Sequence, residues 1–208
     1  VDVLVNNAGR SIRRSVALSY DRFHDFERTT QLNYLGALRL ILALLPTMRA
    51  RKQGHIINIS SIGTQTNPPR FSAYVASKAA LDAFSRVIAS EVKDDGVHLT
   101  TINMPLVRTP MIAPTRMYDM FPAITPEEAA EMIAKAMVNR PKKVATKLGN
   151  FGELLYAVTP KVSDTILNTA YKLFPDSQAA KGKNEEAPDK APSTEAVAFA
   201  HLMKGVHW

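Results

Sequence analysis

The chain has 208 residues, 46% of them hydrophobic and 22% charged, and carries a net charge of +7 at neutral pH. This is the balance of an ordinary soluble globular chain, long enough for one good core with material left over. Having no cysteine, it can form neither disulfides nor cysteine-based zinc sites, which suits a reducing compartment.

In chain order, residues 1–5 read as a buried, central parallel strand, followed by a polar turn, Asn6-Asn7-Ala8-Gly9. Residues 11–18 read as a loop, and Arg10, Arg13 and Arg14 stand beside that turn. Ser19 is a candidate helix cap, but Arg22 occupies the place where a capping box wants Glu. A helix is expected over 20–30. A longer one follows to Met48, with a stripe at Leu35, Leu38, Ile41, Leu42 and Leu45, and Pro46 marks its last turn. Residues 54–61 form a second buried strand that ends in two hydroxyls, Ser60 and Ser61. A polar loop over 63–70 leads to a helix over 71–92, apolar at Val75, Ala79, Leu81, Phe84, Val87 and Ile88. Asp94-Asp95-Gly96 is a left-handed stop, and 97–104 reads as a third strand. Residues 113–124 form a loop. Thr125-Pro126-Glu127-Glu128 starts a helix with a cap, proline in the first turn and acidic side chains. That helix is expected to reach Val138 or Asn139, and 143–148 reads as a last strand. The alternation of strand and helix is that of an α/β, doubly wound parallel sheet.

The chemistry is concentrated in Tyr74-Val75-Ala76-Ser77-Lys78. A tyrosine and a lysine four residues apart stack on one helix face. An ammonium beside a phenol favours phenolate, so the pair can act as a tuned acid and base. Taken alone, such a pair is more often an ordinary helix face. Ser61 sits at the C-terminal end of a buried strand, where open α/β sheets bind ligands. Asn33 lies in a further segment, Leu32-Asn33-Tyr34. The five histidines are scattered, none in His-Glu-x-x-His spacing, so no metal is expected.

Asn-Asn-Ala-Gly after a strand, a helical Asn, Ser, then Tyr-x-x-x-Lys resembles the classical short-chain dehydrogenase/reductase family, from Val1 to about Gly149. The resemblance implies a Rossmann-like fold and a catalytic set of Asn33, Ser61, Tyr74 and Lys78. Tyr74 is then the proton donor to a carbonyl oxygen. Lys78 lowers its pKa and holds the nicotinamide ribose. Ser61 hydrogen-bonds the reacting oxygen, and Asn33 anchors a water. Asn6, Ala8 and Gly9 line the cofactor with Tyr74 and Lys78. Pro105, Val107 and Thr109 complete the cofactor contacts, although Leu106 replaces the family's usual glycine. The family's Gly-rich pyrophosphate turn is missing, because the chain contains no Gly-x-Gly. By the resemblance, Val1 begins the family's fourth strand, so the domain is expected to be N-terminally truncated. The stretch is then expected to be inactive alone, with the determinants of NADPH or NADH upstream.

Residues 56–63, 69–74, 103–115 and 140–146 resemble a narrower group, the bacterial long-chain fatty acyl-CoA reductases. This implies NADPH-dependent reduction of fatty acyl-CoA or fatty aldehyde, with NADH as the other cofactor. The alternatives are reduction or oxidation of another lipid-like ketone or alcohol, such as a 3-oxoacyl thioester or steroid, and a non-catalytic interaction module. The expected domains are 1–149 for the partial catalytic unit, 150–175 for an amphipathic helical extension, 176–193 for a disordered linker and 194–208 for a short terminal helix. The extension is apolar at Phe151, Leu154, Leu155, Val158, Val162, Ile166 and Leu173, with Lys142, Lys143, Lys147, Lys161 and Lys172 nearby. It is too apolar to stay in water and is expected to close over an acyl chain or meet a membrane. The basic clusters read as solvated surface, with a phosphate-bearing ligand as the second reading. No nucleic-acid motif or signal peptide is visible, and the longest apolar run, 35–45, is too short to span a bilayer. A cytoplasmic, membrane-associated homo-oligomer is therefore expected.

Overall fold

A computed structural model describes residues 1–112, 118, 120–177, 179–182 and 193–197. Four strands, β1 (Val3–Asn6), β2 (Gly54–Ile59), β3 (Val97–Ile102) and β4 (Lys143–Val144), form one parallel sheet in the order β1-β2-β3-β4. Between β1 and β2 run α1 (Phe23–Thr30), a π-helical segment (Gln31–Gly36) and α2 (Ala37–Ala50). Between β2 and β3 run a short α3 (Gly63–Thr66) and the long α4 (Ser72–Glu91). The helix α5 (Pro126–Asn139) precedes β4, and α6 (Lys147–Val158) and α7 (Pro160–Leu173) follow it.

Every residue of β2 is buried, as expected of a strand covered on both faces. Successive side chains point to opposite faces, so Ile56 joins Ile41, Met48, Leu81 and Ile88 on the α2–α4 side. Ile57 and Ile59 join Ile102, Ala129 and Ala136 on the α5 side. The expected double winding is thus present, and burying isoleucines on each face is worth roughly 1.5–3 kcal/mol per side chain. Gly96 provides the turn into β3. Its φ is +68°, and a Cβ there would lie 2.2 Å from the Lys52 carbonyl oxygen, so any side chain would collide with backbone.

Several boundaries differ from the expectation. β1 is an edge strand of the described sheet rather than a central one, and Val3 to Val5 are only half-buried. α1 starts at Phe23 because Ser19 spends its hydroxyl on the Ser15 carbonyl instead of capping a helix. α2 continues through Pro46 to Ala50. Residues 63–66 are helical rather than loop. β4 is cut to two residues because Thr146 caps α6, accepting from Gly149 N. The Thr125 start of α5 is a complete capping box with Glu128. Of the expected linker, Asp176, Ser177 and residues 179–182 are described, with a turn of 3-10 helix at Ala179–Lys181. Residues 194–197 are helical; the rest of the expected terminal helix lies outside the described residues. So do residues 113–117 and 119 of the 113–124 loop.

Candidate active site

The C-terminal ends of β1 and β2 and the first turns of α4 meet around Gly9. A Cβ on Gly9 would lie 3.1 Å from Asn33 Oδ1 and 3.2 Å from Lys78 Nζ, so only glycine leaves this turn open over the two side chains. The Asn33 amide clamps the turn. Its Oδ1 accepts from Arg10 N at 2.9 Å, and its Nδ2 donates to the Arg10 carbonyl at 3.0 Å and to Ser77 Oγ at 2.9 Å. Asn33 sits in the π-helical segment, where the wider turn re-aims side chains relative to an α-helix, a feature common at functional sites. The side chain expected to anchor a water is therefore committed to holding the β1 turn against α4.

Tyr74 and Lys78 share the buried face of α4, as their spacing required. Burial raises the Tyr74 phenol above its ordinary pKa; a hydrogen bond with Ser61 pulls it back, and the Asp82 carboxylate raises it further. Lys78 is not among the groups that shift Tyr74. Its ammonium instead donates to the Ile59 carbonyl at 2.7 Å and faces Gly9. Burial depresses Lys78 to about 8, while Asp82 opposes that shift. Ser61 Oγ accepts from Gly63 N at 3.0 Å, which orients the hydroxyl near the phenol.

Asn6 lies behind the turn, and its Nδ2 donates to Asn58 Oδ1 at 2.7 Å, tying β1 to β2. Ala8 is exposed and Gly9 half-buried. Pro105 is buried, Val107 bridges to Ile124, and Thr109 is half-buried beyond β3. Leu106 is not in the left-handed region, so the missing glycine imposes no backbone strain there. The structure groups Asn33, Ser61, Tyr74, Lys78 and Gly9 at one sheet end. The open Gly9 turn and the Lys78 ammonium, whose one described hydrogen bond is to Ile59, fit a nicotinamide ribose. Among the described residues no cluster of His, Asp or Glu is able to hold a metal ion.

Arg13 and Arg14 are engaged with the segment after α7. Arg13 donates to the Phe174 and Pro175 carbonyls at 3.0 and 2.9 Å. Arg14 is ion-paired to Asp25 and donates to the Ala180 carbonyl at 3.1 Å. Both arginines fasten the segment after α7 onto the loop after β1. Phe174 in that segment packs on Phe121, with ring centroids 5.5 Å apart. Phe121 N donates to the Tyr118 carbonyl, and the Tyr118 phenol is pushed up to about 12, mainly by burial, with Arg13 and Tyr74 both within electrostatic reach. An aromatic wall therefore stands on the Tyr74 side of the sheet end. Spacing gave no signal of it, because its parts lie far apart in the sequence.

The family model for short chain dehydrogenases matches residues 1–118. The chain is 55% identical over all 208 residues to a fatty acyl-CoA reductase of Acinetobacter baylyi, spanning 69% of that protein. It is 50% identical over 162 residues, 77% of its length, to a fatty acyl-CoA reductase of Mycobacterium tuberculosis, spanning 55% of that protein. A short-chain dehydrogenase from Streptomyces avermitilis superposes with a TM-score of 0.65 at 29% identity, covering 82% of this chain and 70% of that one. With this match and the Ser61, Tyr74 and Lys78 geometry, the chain belongs to the short-chain dehydrogenase family.

Proposed function

We propose that the complete protein reduces long-chain fatty acyl-CoA or fatty aldehyde with NADPH. One observation carries this reading: Ser61, Tyr74 and Lys78 converge beside the Gly9 turn in a chain 55% identical throughout to a fatty acyl-CoA reductase. The substrate carbonyl oxygen lies between the Ser61 and Tyr74 hydroxyls. Gly9 and Lys78 would hold a nicotinamide, whose chemistry when bound would be to supply the hydride for the carbonyl carbon. Tyr74 gives its proton to the oxygen, and Ser61 stabilises the developing charge. With an acyl thioester, collapse of the tetrahedral adduct releases the CoA thiol and leaves the aldehyde. Lys78 orients the ribose, fixed by its bond to Ile59. Phe121 and Phe174 offer an apolar surface on the Tyr74 side.

Peripheral contact with an anionic membrane belongs to the same reading. Phe151, Leu154, Val158, Val162 and Ile166 are exposed along α6 and α7 instead of closing over the sheet end. The exposed Lys147, Lys161 and Lys172 lie on the same helices, and cations near such apolar residues favour anionic lipid. No helix among the described residues is long and apolar enough to cross a membrane.

The test is steady-state oxidation of NADPH and of NADH by the full-length protein, with acyl-CoA esters of increasing chain length, fatty aldehydes, 3-oxoacyl thioesters and steroids. Aldehyde or alcohol formed from long-chain acyl-CoA with NADPH is expected. Turnover confined to 3-oxoacyl thioesters or steroids overturns the reading.

A further inference from the structure

The face of α4 that carries Tyr74 and Lys78 has a third ionisable group one turn on. Asp82 is 5% exposed, and its Oδ2 accepts from Ser60 Oγ at 2.8 Å. A carboxylate is rarely buried without a partner or a task. It lies within a polar seam between the sheet and α4. In the same seam Asn58 Nδ2 donates to Ser85 Oγ at 2.8 Å, and Asn6 donates to Asn58. That part of the seam is neutral and joins backbone elements. Asp82 differs because it carries charge and stands beside the proton donor.

We propose that Asp82, held by Ser60 and buried one helical turn from Lys78, is a positioning residue whose carboxylate supports the charge of the Tyr74–Lys78 pair. The proposal rests on the reductase reading above only in taking Tyr74 as the proton donor. It names no substrate.

The geometry supplies the first argument. Tyr74, Lys78 and Asp82 recur every fourth residue and so form one row along α4. Ser60 directly precedes Ser61, so its hydrogen bond to Asp82 also fixes the strand end from which Ser61 reaches Tyr74. Electrostatics supplies the second. Burial drives Lys78 toward its neutral form, and the Asp82 charge opposes it alongside the Ile59 carbonyl that accepts from the ammonium. Asp82 also raises Tyr74, which favours the protonated phenol. The Asp82 carboxyl is itself raised by burial; it is held down by Ser60, then Thr64 of α3, then Arg86 and Lys78. Arg86 is exposed and also faces Glu153 of α6. Tyr118, beyond β3, faces Tyr74 together with Arg13. Arg86 and Lys78 are the cations acting on Asp82, and only Lys78 is buried beside it.

The sign follows. Asp82→Asn keeps the shape and removes the charge, so Lys78 and Tyr74 both lose their protons at lower pH. The alkaline limb of kcat/KM for carbonyl reduction should move down by about one pH unit or more, the lower end of an opposite-charge effect. Ser60→Ala removes one hydroxyl that favours the charged carboxyl, and should move the limb the same way by less. Asp82→Glu should largely restore the wild-type limb. The measurement uses the full-length protein and any carbonyl substrate that the wild type reduces, so failure of the acyl-CoA assignment leaves it intact. A second readout needs no turnover: the Lys78 side-chain nitrogen, titrated by NMR, should lose its proton at lower pH in Asp82→Asn. Coincident wild-type and Asp82→Asn curves in both measurements would show that Asp82 is structural only, and an unmoved Ser60→Ala limb would remove Ser60 from the device.

Discussion

Arg70 lies over the ring of Tyr171, with its guanidinium carbon 3.9 Å from the ring centroid. It also donates to the Tyr171 carbonyl at 2.9 Å and pairs with Asp176 at 3.3 Å, with both charged side chains nearly buried. Arg70 adopts φ +74°, which is unusual for a side chain of this size, and these contacts hold it there. Asp176 in turn accepts from Ser15 N at 3.0 Å. The segment after α7 is thus tied to the start of α4 and to the loop after β1. Arg70→Ala leaves Asp176 buried without its cation and should cost about 3 kcal/mol. Hydrogen exchange should show lost protection over 171–177. Unchanged protection there would mean that Arg13 and Arg14 suffice.

Tyr74→Phe removes the donated proton and little volume. Turnover of the full-length enzyme should fall by roughly 10²–10⁴-fold, the usual range for a general acid, with thermal stability close to wild type. Near-normal turnover would sink the mechanism.

Lys78 should govern the response to pH. Its ammonium is lost as pH rises through about 8, so affinity for the nicotinamide cofactor should decline across that value. Stability has the opposite sign. Between about 8 and the ordinary lysine value of 10.5 the unfolded chain holds this proton and the folded chain does not. The unfolded state binds more protons there, so the Lys78 contribution to stability rises with pH over that window. Cofactor titration by calorimetry at several pH values checks the first statement. Lys78→Ala should impair binding at every pH and flatten the dependence.

Leu154 is 63% exposed and Val158 70%. Replacing both with Ser should change stability by no more than about 0.5 kcal/mol each, as for most surface positions. If α6 meets lipid, the double variant should lose most of its binding to anionic vesicles, measured by co-sedimentation. Intact vesicle binding with altered oligomer size would assign this face to subunit contact.

The catalytic residues were legible because their spacing is local. Tyr74 and Lys78 are one helical turn apart, Ser61 follows the buried strand β2, and Gly9 closes the turn after β1. The double winding was legible too, since continuous apolar strands alternate with amphipathic helices. The aromatic wall was not, because Phe121 and Phe174 meet only through tertiary packing. The partners of Arg13 and Arg14 were not legible, because nearness in sequence to Gly9 says nothing of where a long side chain points. Asp82 left a weak trace, a carboxylate on a helix face otherwise filled by Ala73, Ser77 and Leu81. Such a residue is hard to tell from a surface charge until the sheet is in place. The partner of the α6 and α7 stripe was not legible, because apolar spacing shows that a helix has an apolar stripe without showing what covers it.

The π-helical turn at Asn33 restricts how this chain tolerates changes in length. A π turn carries one residue more than the α turn it replaces. Deleting a single residue within Gln31–Gly36 would let the helix close as α with little loss of backbone bonding, and the protein would still fold. Five α residues turn a helix about as far as six π residues, so the flanking helices would keep their facing while the side chains inside the segment are re-aimed. Asn33 would swing off Ser77 and Arg10, and the Gly9 turn would lose its clamp. Such a variant should be stable and inert, whereas a deletion in the exposed loop over 16–19 should be absorbed without loss of the site.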